Sequence, residues 1–198
     1  MNYDALLARI LDTVDAEAYQ TPSHHVSVEQ RQPMLMVEQA MQAPDFSADH
    51  VRALIDRLFE SGQIDAVHRL SALHVVACHP RVSDWEEAAR LAGAQEYAAL
   101  KLGGPNLQTN LASVDRHRGV LAFMQGHYEV ALDYFSRALE RQRSAENICN
   151  ILATLLRLAD EPEARELLHR VRSGFPKRLV DDVETLIATD PDLVLLHD

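Results

Sequence analysis

The sequence predicts an all-α fold, a stack of antiparallel helix pairs closed at its ends by capping helices, and three observations carry that prediction. Apolar residues recur at spacings of three and four through long segments, which is the signature of amphipathic helices. No segment alternates as a half-buried strand would. The third observation is a period: Val67, Ala98, Ala131 and Ala164 sit near the starts of successive second helices at intervals of 31, 33 and 33 residues.

In chain order, Leu6, Leu7, Ile10, Leu11 and Val14 make one stripe of a first helix that runs out near Tyr19-Gln20-Thr21-Pro22. A second helix starts at Ser27, where Ser27-Val28-Glu29-Gln30 reads as a capping box and Pro33 is tolerated only in an early turn. Residues 1–45 form an amino-terminal helical segment that serves as a cap or a dimer surface, and 46–198 form the repeat domain. Within the repeat domain the helices pair as 48–60 with 63–78, 84–93 with 95–102, 111–125 with 128–142 and 145–159 with 161–173. A last helix at 177–189, carrying Leu179, Val183, Leu186 and Ile187, caps the stack.

Composition narrows the function. The 198 residues hold 19 Lys and Arg against 30 Asp and Glu, a net charge of -11, with 47% hydrophobic residues. That apolar fraction excludes intrinsic disorder, and no run approaches the ~18 consecutive apolar residues that cross a bilayer. Acidity opposes phosphate backbones and anionic lipid, so nucleic acid and membranes are not expected partners. The start Met1-Asn2-Tyr3-Asp4 lacks the basic opening of a secretory signal, which points to the cytoplasm. Two Lys against seventeen Arg fits a GC-rich bacterial gene. Cys78 and Cys149 form no CxxC and read as buried free thiols.

The segment 112–142 resembles a tetratricopeptide repeat, a helix-turn-helix unit of about 34 residues. The resemblance rests on Gly119 at the helix crossing, Gly126 at the turn, Tyr128 opening the second helix, and Ala131, Phe135, Ala138 and Leu139 on its packing face. The next unit, 145–176, matches through Ile148, Ile151, Leu155, Ala164, Leu168 and the closing Pro176. Leu152 replaces a small residue, and Asp115 and Arg118 stand where the family has apolar side chains. Upstream, Gly62, Ile64, Val67, Trp85 and Ala92 echo the pattern until Gly103-Gly104-Pro105 ends it.

The resemblance implies a right-handed superhelix whose concave face, lined by first helices, binds a segment of another protein. Carried onto this chain, the partner-binding positions are Arg116, Val120, Phe123 and Met124 from one unit, and Asn150, Ala153, Leu156 and Arg157 from the next. Ser113, Glu146 and Cys149 flank them. Core packing is the competing role for Phe123 and Met124. The implied function is that of a cytoplasmic adaptor or scaffold for a protein or peptide. The alternative is a secretion chaperone similar to the small bacterial tetratricopeptide chaperones, which would make a homodimer through its amino-terminal helices. No enzyme and no cofactor are expected, since no nucleophile elbow, phosphate loop or His-Glu-x-x-His occurs.

Outside the binding class, His68, His74, Cys78 and His79 form the one dense cluster of metal-type ligands, and the alternative to a metal site is an ordinary buried helix. Glu166-Leu167-Leu168-His169 and Asp65-Ala66-Val67-His68 imitate a di-iron half-motif, but Leu168 and Val67 fall on packing positions and turn the polar residues outward. Charge is segregated as well: residues 179–198 carry six acidic and no basic side chains. The tail 190–198 either folds back on, or exchanges between subunits into, the more basic 113–178 face and occupies its groove until a partner displaces it, or it is a helix cap with a frayed acidic end.

Overall fold

The computed structural model describes residues 3–15 and 28–196. The described residues form α1 (Tyr3–Asp15), α2 (Val28–Gln42), α3 (Ala48–Glu60), α4 (Ala66–Cys78), α5 (Trp85–Leu102), α6 (Leu107–Met124), α7 (Tyr128–Arg141), α8 (Ala145–Arg157), α9 (Glu161–Gly174), α10 (Lys177–Thr189) and a 3₁₀ helix (Pro191–Leu196), with no strand among them. They divide into two compact units, one of residues 28–110 and one that joins 3–15 to 111–196. Consecutive helices pack on one another within each unit, an arrangement consistent with a helical repeat.

That division does not follow the boundary expected at residue 45. α2 packs with α3 and α4, whereas α1 packs against α7 and α9. The cause lies in the α1 stripe: Leu6, Ile10 and Val14 are buried in one cluster with Leu132, Phe135, Leu167 and Leu168. Polar contacts fix its register, with Tyr3 donating to the Asp160 carboxylate and Arg9 reaching Asp133 at 3.0 Å and Glu140 at 2.8 Å. Burial first, and then the Asp160 carboxylate, raise the Tyr3 phenol above its ordinary value.

In the 28–110 unit, α3 lies on α4 and α4 on α5. Val37, Val51, Ile55, Leu58, Ile64 and Val76 make the core. Ser47, Asp65 and Asp84 cap α3, α4 and α5, each side chain accepting from the amide three residues on. The capping box at Ser27 lies outside the described residues. Pro33 stands inside α2 rather than in its first turn, because the helix begins at Val28.

Three helix ends share one turn. Gly62, Gly126 and Ala159 donate to the carbonyls of Phe59, Phe123 and Leu156, and the next residues, Gln63, His127 and Asp160, donate to Leu58, Ala122 and Leu155. This double bond pattern is a Schellman motif, and it needs a left-handed residue. The φ values are 72°, 78° and 60°. Gly126 and Ala159 are 33 residues apart, so the period read from the sequence is also a period of backbone geometry. Ala159 fills without glycine a position that costs an L-residue about 1–2 kcal/mol. Ala159→Gly is therefore expected to stabilise the chain by about 0.5–1 kcal/mol after the added freedom of the unfolded state is subtracted. A lower urea midpoint in that variant would contradict a strained turn.

The period fails once. The pairing of 84–93 with 95–102 places a break at Ala94, yet α5 runs unbroken through Gly93 and Ala94. Helices of ten and eight residues would be too short to hold separately, whereas one glycine inside a helix rich in alanine costs only about 1 kcal/mol. Ala98 therefore lies in mid-helix and opens nothing. The stop comes at Gly103 and Gly104, both at positive φ, as the Gly-Gly-Pro sequence indicated. α4 begins at Ala66 rather than 63, and α6 at Leu107 rather than 111.

In the other unit α8 is the central helix, touching α7, α9, α10 and the 3₁₀ helix. Ile148, Ile151, Leu152 and Leu155 are all fully buried, so Leu152, larger than the repeat pattern asks, is a core residue. Gly119 of α6 faces the ring of Phe135 on α7, where a Cβ would stand 2.5 Å from Cε1. Asp115, the acidic residue at an apolar position, is buried and accepts from Arg141 Nε of α7 at 2.8 Å. The pair lets a charge sit between two helices because its carboxylate has a guanidinium to meet it.

Candidate interaction surface

The predicted groove residues come from two helices of the 111–196 unit. α6 places Arg116, Val120 and Phe123 half-buried and leaves Met124 45% exposed. α8 places Asn150 and Leu156 half-buried, Arg157 exposed and Ala153 buried. Val120, Phe123 and Leu156 all rest on the edge of the apolar core, so the same side chains that close the core present their outer atoms to solvent.

Phe123 makes one contact with α8 and one with α7. The Arg157 guanidinium lies over the Phe123 ring at 6.0 Å, and Phe123 meets Tyr128 edge-on at 5.3 Å. Desolvation holds Arg116 below its ordinary value, opposed by the negative charge of Glu146 on α8. α6 and α8 thus meet through the Phe123–Arg157 contact, and Arg116 of α6 lies within the field of Glu146 of α8. Asn150 uses its backbone carbonyl to accept from Thr154 Oγ1 at 2.6 Å.

The rest of the α8 face is covered from within the chain. Cys149 is buried with its thiol directed at the Val183 carbonyl of α10, at 3.9 Å. Burial, helped by Asp190, Glu146 and Glu184, pushes that thiol up to about 12. Ala153 shares the core with Val183, Ile187, Leu193 and Leu196. Arg157 Nη2 pairs with Asp192 Oδ1 of the 3₁₀ helix, and Arg165 Nη2 donates to the Leu195 carbonyl at 2.7 Å. The tail as far as Leu196 therefore packs on α8 and α10.

No family model, curated protein or solved structure gives this chain a significant match. The site must be read from its own geometry.

The histidine cluster is dispersed. His74 and Cys78 are buried together, the sulfur 3.7 Å from Nδ1 and 3.8 Å from Nε2. Burial lowers His74 to about 4 and raises Cys78 to about 11, so both are neutral near pH 7. His68 pairs with Asp65 at 2.8 Å on the outer face of α4, and His79 stacks on Phe46 with centroids 3.9 Å apart. Among the described residues no group of three or more His, Cys, Asp or Glu could hold a metal ion. The two di-iron half-motifs put Asp65, His68, Glu166 and His169 on exposed faces and Val67 and Leu168 in the interior. No helix among the described residues is long and apolar enough to cross a membrane.

Sequence reasoning singled out the tail and Asp115 without their partners. The acidic-apolar mixture of the tail did not specify the seats of Asp192 and Leu193. Asp115 stood out as an acidic residue at an apolar position, but nothing in the pattern named Arg141 as its counterion.

Proposed function

We propose that this protein is an interaction module that binds a segment of a partner protein on the surface shared by α6 and α8. The observation that carries the reading is the meeting of Phe123 and Arg157, with Met124 exposed beside them in sequence. An aromatic under a guanidinium next to an exposed methionine supplies the apolar and hydrogen-bonding contacts that peptide recognition uses. The helical, repeat-like scaffold of the described residues supports the interaction-module reading. In this reading the chain works as a tetratricopeptide-like adaptor in the cytoplasm.

The chaperone alternative assigned dimer formation to the amino-terminal helices. The α1 stripe is buried within its own chain, so a dimer through the amino-terminal helices would use α2, where Leu35 and Met36 are exposed.

The test is affinity capture from an extract of the source organism, comparing wild type with a Phe123→Ala, Met124→Glu variant and a Tyr97→Glu control. Circular dichroism first establishes that both variants are folded. The expected result is one partner retained by wild type and control and reduced at least tenfold by the double variant. Equal capture by all three chains would refute the α6–α8 site.

A further inference from the structure

We propose that the 3₁₀ helix Pro191–Leu196 is a resident, displaceable occupant of the groove between α8 and α10, and that the groove's partner is a segment of the same pattern: an acidic residue followed by leucines at the first and fourth positions after it. This rests on the interaction-module reading and specifies what the module recognises. The tail packs on α8 and α10 beside the α6–α8 surface, with Arg157 common to both.

Its side chains divide as those of a docked peptide do. Leu193 and Leu196 are 0% and 1% exposed, while their neighbours Val194 and Leu195 are 57% and 55% exposed. With three residues per turn, a 3₁₀ helix stacks positions three apart on one face, which sends both buried leucines to α8 and α10 and both exposed residues to solvent. Two guanidinium contacts set direction and register: Arg157 takes the Asp192 carboxylate, and Arg165 takes the Leu195 carbonyl. The Arg157 and Asp192 side chains are 50% and 36% exposed. An ion pair this open to water gives specificity and little hold.

The segment is thus retained by two leucine seats and by its short covalent connection. That connection is the single residue Asp190, whose carboxylate accepts from the Asp192 amide at 2.9 Å while its carbonyl accepts from Leu193 at 3.1 Å. Tethering gives the tail a high local concentration, so a partner in trans has to exceed the tail in contacts or in concentration. Exchange is economical because the vacated seats are refilled by the same chemistry. Arg157 also lies over Phe123, so whatever replaces the tail reaches the α6–α8 surface through the same guanidinium.

The experiment uses a fluorescent nine-residue peptide with the sequence of Asp190–Asp198, read by anisotropy against the intact chain and against a chain ending at Thr189. Saturable binding to the shortened chain is expected, at least tenfold weaker binding to the intact chain, and loss of both when the peptide's leucines at 193 and 196 are aspartates. Because shortening uncovers the leucine seats and can cost the fold, hydrogen exchange on the intact chain gives a second reading. The amide of Leu193 should exchange at least 100-fold faster than the buried amides of α8, reporting an opening that leaves the unit folded. A folded, shortened chain that ignores the peptide would overturn the proposal, as would a Leu193 amide that opens only with α8. If either occurs while the Phe123→Ala, Met124→Glu variant still loses its captured partner, the interaction module stands and the displaceable tail falls.

Discussion

Gly119→Ala should destabilise the protein by about 1–2 kcal/mol, against the direction helix propensity gives. In an exposed helix that exchange stabilises by up to about 1 kcal/mol. Here the added Cβ would lie 2.5, 2.6 and 2.9 Å from Cε1, Cδ1 and Cζ of Phe135. The ring is 1% exposed and enclosed by the core, so overpacking of about 1–3 kcal/mol outweighs the propensity gain. Gly119→Val should cost more, about 3 kcal/mol. The decisive arm is the double variant: in a Phe135→Leu background the obstruction is gone and Gly119→Ala should become neutral or stabilising. Such a change of sign is a coupling between touching residues. It is read from urea midpoints of the four chains. A stabilising Gly119→Ala in the wild-type background would show that α6 and α7 do not cross as described.

The second large effect is acid sensitivity centred on His74. This side chain is 1% exposed, and burial lowers it to about 4 from an unfolded value of 6.5. Near neutral pH neither state holds the proton, and the full stability is present. As the pH falls through 6.5 the unfolded chain takes up a proton that the native chain refuses, and stability drops until both states are protonated below about 4. A shift of this size corresponds to about 3 kcal/mol lost across that window. His74→Leu should remove that component, and urea unfolding at pH 7.5, 6, 5 and 4.5 measures it as a shallower decline in the variant. Parallel declines in the two chains would assign the acid sensitivity to other groups.

How much of this was legible in the sequence follows from what periodicity encodes. It gives a helix's buried face, and Leu6, Ile10 and Val14 are buried as the stripe indicated. It does not give the partner: nothing local to α1 says that its face meets α7 and α9 rather than the neighbouring α2. Glycines marked the turns at 62 and 126, but the same turn is made at Ala159 by a residue that strains to make it, and Gly93 makes none. A period is evidence about ancestry or packing, while a turn also needs helices on both sides long enough to survive. The candidate surface was legible as a set of helix positions. That α10 and the tail cover part of it depended on 3₁₀ geometry, whose three-residue spacing is also one of the spacings of an α-helix.

The docking of α1 has a consequence in time. Arg9 and its partner Asp133 are 124 residues apart in the chain. At a synthesis rate of about 5–20 residues per second, α1 leaves the ribosome on the order of ten seconds before α7 exists to receive it. Throughout that interval Leu6, Ile10 and Val14 have no native surface to cover them, and the intervening unit can fold first. The nascent chain therefore exposes α1 to aggregation and to chaperone capture, and a pause in translation anywhere between α2 and α6 would lengthen that exposure without touching a single native contact.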